Sequence, residues 1–200
     1  MNTDLSTIQA PPAIQPISNT CPLDYRKKEV LIDGTAVEIR PICSGDKKEL
    51  LAFHQRLSPD SLFLRYHYSK GELTDGDLKN FCDIDYINDL GLVAEVERNG
   101  RKEIIGVGRY DRLPVIHTAE IAFVVQDSDQ NKGVGTLLLK HLAVLAWERG
   151  IHNFFGEILR QNSKMISILR KSDPKMQQDV DCISTCTIKL SVAEAMRRTN

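Results

Sequence analysis

Several segments of the chain alternate apolar and polar residues or are rich in β-branched and apolar residues. Such alternation is typical of a half-buried strand, and β-branched runs also favour strands. Asn99-Gly100, between the second and third of these segments, predicts a tight hairpin. The predicted strands span residues 37–42, 90–97, 104–110, 119–126, 153–159 and 181–190.

Other segments carry apolar residues at helical spacing and begin with residues that cap helices. Ser44 can cap the first helix, and Ser58, which is followed by a proline, can cap the second. Thr74 and Asp77 stand in the order of a capping box. Gly150 ends the longest helix, which is polar on only a narrow face and should pack on a sheet. The predicted helices span residues 44–57, 59–68, 74–82, 133–149 and 163–171.

The order of the longer elements indicates the fold class. They follow one another as β-α-α-β-β-β-α-β-α-β, which predicts antiparallel strands first and a β-α-β crossover near the end. We therefore expect an α/β (α+β) fold, in which a mixed, mostly antiparallel central sheet is flanked by helices.

The first residues of the chain differ from the rest. Four prolines lie among serines, threonines, glutamines and asparagines before residue 25. Such a segment buries little and loses much entropy on ordering. We expect a disordered or loosely docked tail over residues 1–29 and a single folded domain over residues 30–195.

Composition excludes several classes of function. The 26 basic and 27 acidic residues give a net charge of −1, which offers no reason to expect binding to nucleic acid or to an anionic membrane. No apolar run approaches the ~18 residues of a membrane span, and the N-terminus does not read as a secretory signal. Five cysteines without a CxxC pair favour reduced thiols and a cytoplasmic location. The five histidines show no paired ligand spacing, so no metal site is expected.

The segment Gln130-Asn131-Lys132-Gly133-Val134-Gly135-Thr136 connects a predicted strand to the longest helix. Its glycines let the backbone turn tightly and approach a ligand. The amides at the start of the helix favour an anion, and a diphosphate is the obvious guest. The segment lacks GxxxxGK[ST], and the third glycine of GxGxxG is replaced by Leu138, so neither a P-loop nor a Rossmann fingerprint fits.

The same segment resembles the Gln/Arg-x-x-Gly-x-Gly/Ala pyrophosphate loop of the Gcn5-related N-acetyltransferase (GNAT) family. The resemblance extends over residues 37–190: residues 119–125 resemble the family's fourth strand, and Asn162-Ser163-Lys164-Met165 resembles its Asn-x-x-Met helix start. Residues 57–61, with Leu64-Arg65-Tyr66 and Asp85-Tyr86, are similar to the bacterial protein-lysine acetyltransferases called Pat.

This resemblance implies an acetyltransferase that uses acetyl-CoA as cosubstrate and acetylates a primary amine, above all a protein lysine. It implies that the backbone of Phe123, Val124 and Val125 pairs with the pantetheine arm and that the amides of residues 130–136 hold the pyrophosphate. Asn162 would contact the cofactor near the pantetheine. Glu120 matches the glutamate that serves as the base in Pat-like enzymes.

Strand alternation supports a catalytic role for Glu120. Ile121, Phe123 and Val125 share one apolar face that belongs in the core, while the other face carries Glu120 and Gln126 and can line a groove. An amine must be neutral to attack, and a partly buried glutamate has a raised pKa that suits a base. The alternative is a solvated strand glutamate.

Other assignments stay open at this stage. The tyrosine that many GNAT enzymes place after the fifth strand to protonate the leaving thiolate is absent from residues 166–170, where Ser163 or Ser167 could substitute. A small amine or polyamine acceptor, or a non-catalytic acyl-CoA sensor, are the alternatives to a protein lysine acetyltransferase. The acidic residues between 72 and 89 could attract a cationic acceptor or simply cap helices. Arg65 and Arg109 could support the site or form surface ion pairs, and Trp147 is expected in the core.

Overall fold

The structure, a computed structural model, describes residues 24–180 and 184–198. Within these residues one sheet has eight strands in the order β1-β2-β3-β4-β5-β6-β8-β7. The strands are β1 Lys27–Val30, β2 Ala36–Pro41, β3 Asp89–Arg98, β4 Arg101–Arg112, β5 Thr118–Val125, β6 Asn153–Leu159, β7 Gln177–Asp179 and β8 Thr185–Ser191. The α-helices are α1 Lys47–Gln55, α2 Pro59–Tyr66, α3 Asp75–Cys82, α4 Val134–Glu148, α5 Ser163–Ser172 and α6 Val192–Arg198.

The sheet is mostly antiparallel, as predicted. Only β5 and β6 pair in parallel, on either side of the α4 crossover. The other pairs are antiparallel, and Asn99 and Gly100 form the β3–β4 hairpin with positive φ at both positions. The mixed sheet flanked by helices is therefore confirmed.

Helices cover both faces of the sheet and bury two separate apolar clusters. The larger cluster lies between the sheet and α4 and includes buried residues of α5 and α6. The smaller lies on the opposite face, under α1 and α3, and includes Phe53 and Leu78. The residues of β5 alternate between these faces: Ile121, Phe123 and Val125 pack in the first cluster and Val124 in the second.

The predicted helix at residues 44–57 is broken near its start. Residues 44–46 form a 3-10 turn, and α1 begins only at Lys47. The reason is Asp46, which is buried and accepts hydrogen bonds from both terminal nitrogens of Arg40 at 2.8 Å. Asp46 also accepts a hydrogen bond from the Cys43 N–H, so this turn faces the sheet instead of continuing a helix.

Three edge elements were not predicted: β1, β7 and α6. Strand β1 includes residues 27–29, which we had placed in the tail; residues 1–23 lie outside the described part of the chain. Strand β1 and the residues before it also explain why His141 on α4 is buried. Its Nδ1 lies 2.7 Å from the Tyr25 hydroxyl, and its Nε2 lies 2.9 Å from Glu29 Oε1.

Trp147 is not in the core, so that prediction is wrong. Its side chain is 44 % exposed and rests on the ring of His152, with 4.9 Å between centroids. Leu145 and Ala146 of the same turn are buried in the larger cluster, so Trp147 lies on the outward side of the last turn of α4.

Candidate functional site

Strand β5 separates from β6 part-way along its length. The two strands pair only over residues 118–120 against 153–155. From Ile121 to Val125, β5 stays paired with β4 on its other edge while its β6 edge opens. The opening forms a cleft of about 900 Å³. A strand edge exposed in a cleft can pair with an extended ligand as an added strand would.

The loop at residues 130–136 forms one end of this cleft. Asn131 and Gly133 have positive φ angles of 64° and 97°, and they turn the chain from β5 into α4. Gly133 is the N-cap of α4 and has no side chain that could cap the helix. The first turn of α4 contains no acidic residue. The first amides of α4 are therefore left without a capping side chain, at the positive end of the helix dipole. This end of the cleft suits a diphosphate.

A buried carboxylate stabilises the loop at residues 130–136. Asp129 is fully buried and accepts hydrogen bonds from Arg98 Nη2 at 2.6 Å and from Lys132 Nζ at 3.0 Å. Burial by itself would raise the pKa of Asp129, but the two cations outweigh burial and lower it. The Ile32 N–H donates to the Lys132 carbonyl at 3.0 Å, which ties the turn after β1 to the loop.

Gln130 connects three elements across the mouth of the cleft. Its Nε2 donates to Ser61 Oγ on α2 at 3.1 Å and to the Val125 carbonyl on β5 at 3.2 Å. Its Oε1 accepts from Lys164 Nζ on α5 at 2.8 Å. The side chain at the first position of the loop therefore fixes the relative position of the cleft walls.

Most of the residues predicted to bind cofactor line this one cleft. Asn162 lies at its α5 wall, where Oδ1 caps the helix by accepting from the Met165 N–H at 3.1 Å. Lys132 does not line the cleft, because its ammonium pairs with Asp129 and Asp33 on the far side of the loop. The predicted residues that line the cleft are Phe123, Val124, Val125, Gln130, Asn131, Gly133, Val134, Gly135, Thr136 and Asn162.

Glu120 lies at the point where β5 and β6 begin to separate, and it is exposed rather than partly buried as we expected. The register gives the reason: Glu120 stands opposite Asp111, which stands opposite Asp89, so three carboxyls lie in a row across three strands. Like charges in such a row repel and favour contact with water. Gln126, expected to line the groove with Glu120, is instead buried and accepts from Arg56 Nε at 2.7 Å.

A second cavity of about 470 Å³ lies beside this row of carboxyls. Asp89 and Asp111 form one wall, and burial together with the charge of Asp111 raises the pKa of Asp89. Arg109 donates to both carboxylate oxygens of Asp111, from Nη2 at 2.7 Å and from Nε at 3.2 Å. Arg65 lines both this cavity and the cleft, so the two spaces adjoin at its side chain.

Several acidic residues between 72 and 89 act as caps, as the structural alternative predicted. Asp77 completes the capping box with Thr74, whose hydrogen bonds help lower the pKa of Asp77 to about 2. Asp85 accepts the N–H groups of Ile87 and Asn88. Of this set, Asp83 and Asp89 line the second cavity.

Sequence reasoning missed most of the cleft walls contributed by α2 and α5. Asp127 accepts the Ser58 N–H at 2.9 Å and the Ser61 hydroxyl at 2.9 Å, and so holds the start of α2 beside the loop. The sequence predicts from the Ser58 cap that α2 starts here, but it does not predict that α2 contacts Asp127 beside the loop. The missed lining residues include Ser58, Asp60, Ser61, Leu64, Gln161, Lys164, Met165, Ile168 and Lys171, whereas Ser163 and Ser167 had been considered and do line the cleft.

Neither a cluster of metal-binding side chains nor a helix that could span a membrane is present among the described residues. No group of three or more His, Cys, Asp or Glu side chains could hold a metal ion. No helix in residues 24–180 and 184–198 is long and apolar enough to cross a membrane.

Comparison with known proteins identifies a family and relatives that this chain resembles. Residues 53–171 match the model of the acetyltransferase (GNAT) family. The acetyltransferase PA5475 of Pseudomonas aeruginosa is 30 % identical over 128 residues, which are 64 % of this chain and 69 % of that protein. Acetyltransferase Pat of Mycolicibacterium smegmatis is 29 % identical over 132 residues, which are 66 % of this chain but only 39 % of that longer protein.

A solved structure supports the same conclusion. The GNAT domain of PAT from S. lividans superposes with a TM-score of 0.76 at 31 % sequence identity. The match covers 86 % of this chain and 99 % of that domain.

Proposed function

Since the chain belongs to the GNAT family of acetyl-CoA-dependent acetyltransferases, we propose that it transfers the acetyl group to a primary amine, and that this amine is a protein lysine side chain. The observation that carries the proposal is that two spaces lie next to each other. A cleft shaped for an extended, diphosphate-bearing cofactor adjoins, at Arg65, a second cavity bordered by carboxyls.

The cofactor fits the cleft by two features of the backbone. The open edge of β5 at Phe123, Val124 and Val125 can pair with the pantetheine arm. The uncapped start of α4 can bind the pyrophosphate through its amides. Because Oδ1 of Asn162 already caps α5, its Nδ2 is the atom through which Asn162 would contact the pantetheine. With the pyrophosphate at the loop, the thioester would lie toward Glu120, at the opposite end of β5.

Glu120 is the proposed base. Its carboxylate makes no hydrogen bond or ion pair with the described residues, so it is available to accept a proton from the incoming ammonium, directly or through water. The neutral amine nitrogen then forms a bond to the thioester carbon, and the carbon–sulfur bond breaks. The CoA thiolate leaves and takes, directly or through water, the second proton that the nitrogen must lose to become an amide. Because thiols have a pKa near ~8.5, this departure needs no dedicated acid.

The acceptor is assigned from charge and from resemblance. Arg65, Lys79 and Arg109 line the second cavity together with its carboxyls, and Arg109 pairs with Asp111. Asp89 has no bonded cation among the described residues, so a cation placed beside it would pair with it and relieve its repulsion from Asp111. A lysine side chain is such a cation, and the resemblance to Pat favours a lysine on a protein. A polyamine has the same charge, so competition between a lysine peptide and spermidine separates the two acceptors.

Turnover of acetyl-CoA with lysine peptides tests the proposal, with Glu120→Gln as the variant. We expect Glu120→Gln to bind acetyl-CoA with unchanged affinity and to lower kcat by about 10²-fold or more, the usual contribution of a general base. Glu157→Gln is the matched control, because Glu157 is another exposed strand glutamate, on β6. Equal turnover in all three proteins would remove Glu120 from the mechanism. Acetyl-CoA binding without turnover of any amine would favour the acyl-CoA sensor.

We also propose a cytoplasmic location. Cys43, Cys82 and Cys186 are free thiols among the described residues, and reduced thiols are typical of the cytosol. Burial raises the pKa of Cys82 to about 11, so this thiol is unreactive. Fractionation of cells that express the tagged chain would contradict this proposal if the protein were found with membranes or in the medium.

A further inference from the structure

A third, small cavity lies between the sheet and helices α1, α2 and α3. Its volume is about 40 Å³, and most of its lining is apolar, including Phe53, Leu57 and Val107. Val124 and Arg65 line both this cavity and the cofactor cleft, so the two are adjacent. His54, Arg65 and Arg109 also line the cavity. Their side chains provide several hydrogen-bond donors in an otherwise apolar lining.

His54 has an unsatisfied polar atom at this cavity. Its side chain is buried, with the residue only 4 % exposed, and Nε2 has no hydrogen-bond partner among the described residues. Burial and the charge of Lys70 lower the pKa of His54, which favours the neutral ring. An unpaired buried polar atom is costly and uncommon in native proteins, so a partner for Nε2 is expected.

Arg65 is a second group that lacks a partner. Its guanidinium lies 5.1 Å from the centroid of the Tyr66 ring, and it forms no hydrogen bond or ion pair with residues 24–180 or 184–198. Burial lowers the pKa of Arg65, and the charges of Asp111 and Glu120 act on it only at a distance. The neighbouring Arg109 differs, because Asp111 neutralises it through two hydrogen bonds. An arginine is always charged, so Arg65 is a cation without a bonded counter-charge.

Water alone does not satisfy this pair of groups. A water molecule needs roughly 10–15 Å³ of cavity volume, so the cavity of about 40 Å³ has room for about three water-sized atoms. Water could accept or donate at His54 and can solvate the partly exposed Arg65, but it gives Arg65 no bonded counter-charge. A carboxylate also has three heavy atoms, and it would give both the hydrogen bonds and the counter-charge.

We propose that Arg65, assisted by His54, binds a carboxylate carried by one of the two substrates. The inference rests on the proposed function, because it assigns this cavity to substrate at the acyl end of the cofactor cleft. The carboxylate has two possible sources. It could end the acyl chain of a short dicarboxylic acyl-CoA, or it could belong to the acceptor, as an acidic residue next to the target lysine. In both cases Arg65 is a specificity-determining residue.

Isothermal titration distinguishes the two sources without depending on turnover. The first arm compares succinyl-CoA with butyryl-CoA, which have the same chain length but end in a carboxylate and a methyl group. The second arm titrates the CoA-bound protein with a lysine peptide that carries either Asp or Asn beside the lysine. We expect the carboxylate form to bind at least about tenfold more tightly in one arm, the scale of a charge-assisted hydrogen bond.

Variants of Arg65 decide whether this preference comes from the proposed site. Arg65→Gln should abolish the preference, and Arg65→Lys should restore part of it, because lysine keeps the charge but not the planar fork. Lys79→Gln is the matched control: it removes a cation that lines the second cavity but not the small one, so the preference should remain. Thermal unfolding of each variant confirms that it is folded.

Each remaining outcome has one meaning. If the unmodified protein shows no preference in either arm, or if the preference survives in Arg65→Gln, the inference is wrong. If the unmodified protein still binds acetyl-CoA when the inference fails, the proposed function is not affected. Failure of the unmodified protein to bind acetyl-CoA at all would instead refute the proposed function together with the inference that rests on it.

Discussion

Gly108 on β4 is the position where a single methyl group should affect both stability and the cofactor cleft. A Cβ added there would lie 2.7 Å from Cδ1 and Cε1 of Phe123 and 3.3 Å from Cβ of Leu138 on α4. Leu138 Cβ is fixed to the helix backbone, so the Phe123 ring must move. Phe123 lines the cleft and stands opposite Gly108 in the β4–β5 register. Gly108→Ala therefore displaces a residue proposed to contact the pantetheine arm.

The expected cost of Gly108→Ala follows from overpacking. Adding a methyl group to a filled core destabilises by about 1–3 kcal/mol, which for a chain of this size lowers Tm by roughly 2–12 °C. Thermal unfolding by circular dichroism measures this loss, and calorimetric titration should show acetyl-CoA affinity reduced by about tenfold. Gly71→Ala is the control, because a Cβ at Gly71 meets no atom within 4 Å.

A double variant tests the reason for the loss. Phe123→Leu removes part of the clashing ring, so Gly108→Ala combined with Phe123→Leu should be less destabilised than the sum of the two single changes by about 1 kcal/mol. Strict additivity, or a Gly108→Ala protein with unchanged Tm, would refute the argument that Phe123 packs directly over Gly108.

Two further predictions concern buried charges. Burial would raise the pKa of Asp46, but hydrogen bonds from Arg40 outweigh burial and lower it. The ionised carboxylate therefore stabilises the folded state. This contribution to the free energy of unfolding is present above the unfolded pKa near 4 and is lost as pH falls through the lower folded value. Urea unfolding at pH 7 and pH 3 should show the loss, and Arg40→Met should lose less between those pH values. Asp129→Asn weakens the contacts with Arg98 and Lys132 behind the loop, so it should destabilise by about 1–3 kcal/mol and weaken acetyl-CoA binding. Unchanged unfolding and unchanged titration in Asp129→Asn would contradict that role.

The central elements of the fold could be predicted from the sequence because their signals are local. The β3–β4 hairpin follows from Asn99-Gly100, which accept the positive φ that the turn requires. The start of α2 follows from Ser58, whose hydroxyl accepts the Ser61 N–H. The glycine loop follows from its position between a strand and a helix, and Gly133 does adopt φ 97°.

The edge strands β1 and β7 could not be predicted, because their residues show no alternation of apolar and polar positions. Strand β1 reads Lys-Lys-Glu-Val and β7 reads Gln-Gln-Asp. Polar edge strands are common, since an edge strand needs only one buried face or none. The contacts that fix β1, above all His141 with Glu29, join residues far apart in the chain.

The part of the site that depends on tertiary structure was also missed or misjudged. Glu120 was predicted from strand alternation, but its exposure depends on the row it forms with Asp111 and Asp89 across three strands. The break in the helix at residues 44–57 depends on Arg40, which binds Asp46 and Glu95 at once. Arg65 could be named from the sequence as a residue that might support the site, but its position at three adjoining cavities depends on the tertiary structure.

The measurement that tests the central claim most directly is calorimetric titration of acetyl-CoA into the unmodified protein, Gly133→Asp and Gly150→Asp. The two glycines lie at opposite ends of α4 with φ of 97° and 72°, and no atom lies closer than 3.6 Å to a Cβ at either position. The backbone strain of the two substitutions is therefore similar, but only Gly133→Asp places a negative charge at the proposed pyrophosphate site. The account predicts binding to the unmodified protein and to Gly150→Asp, and none to Gly133→Asp. Equal affinity in all three proteins would contradict the assignment of the glycine loop as the cofactor site.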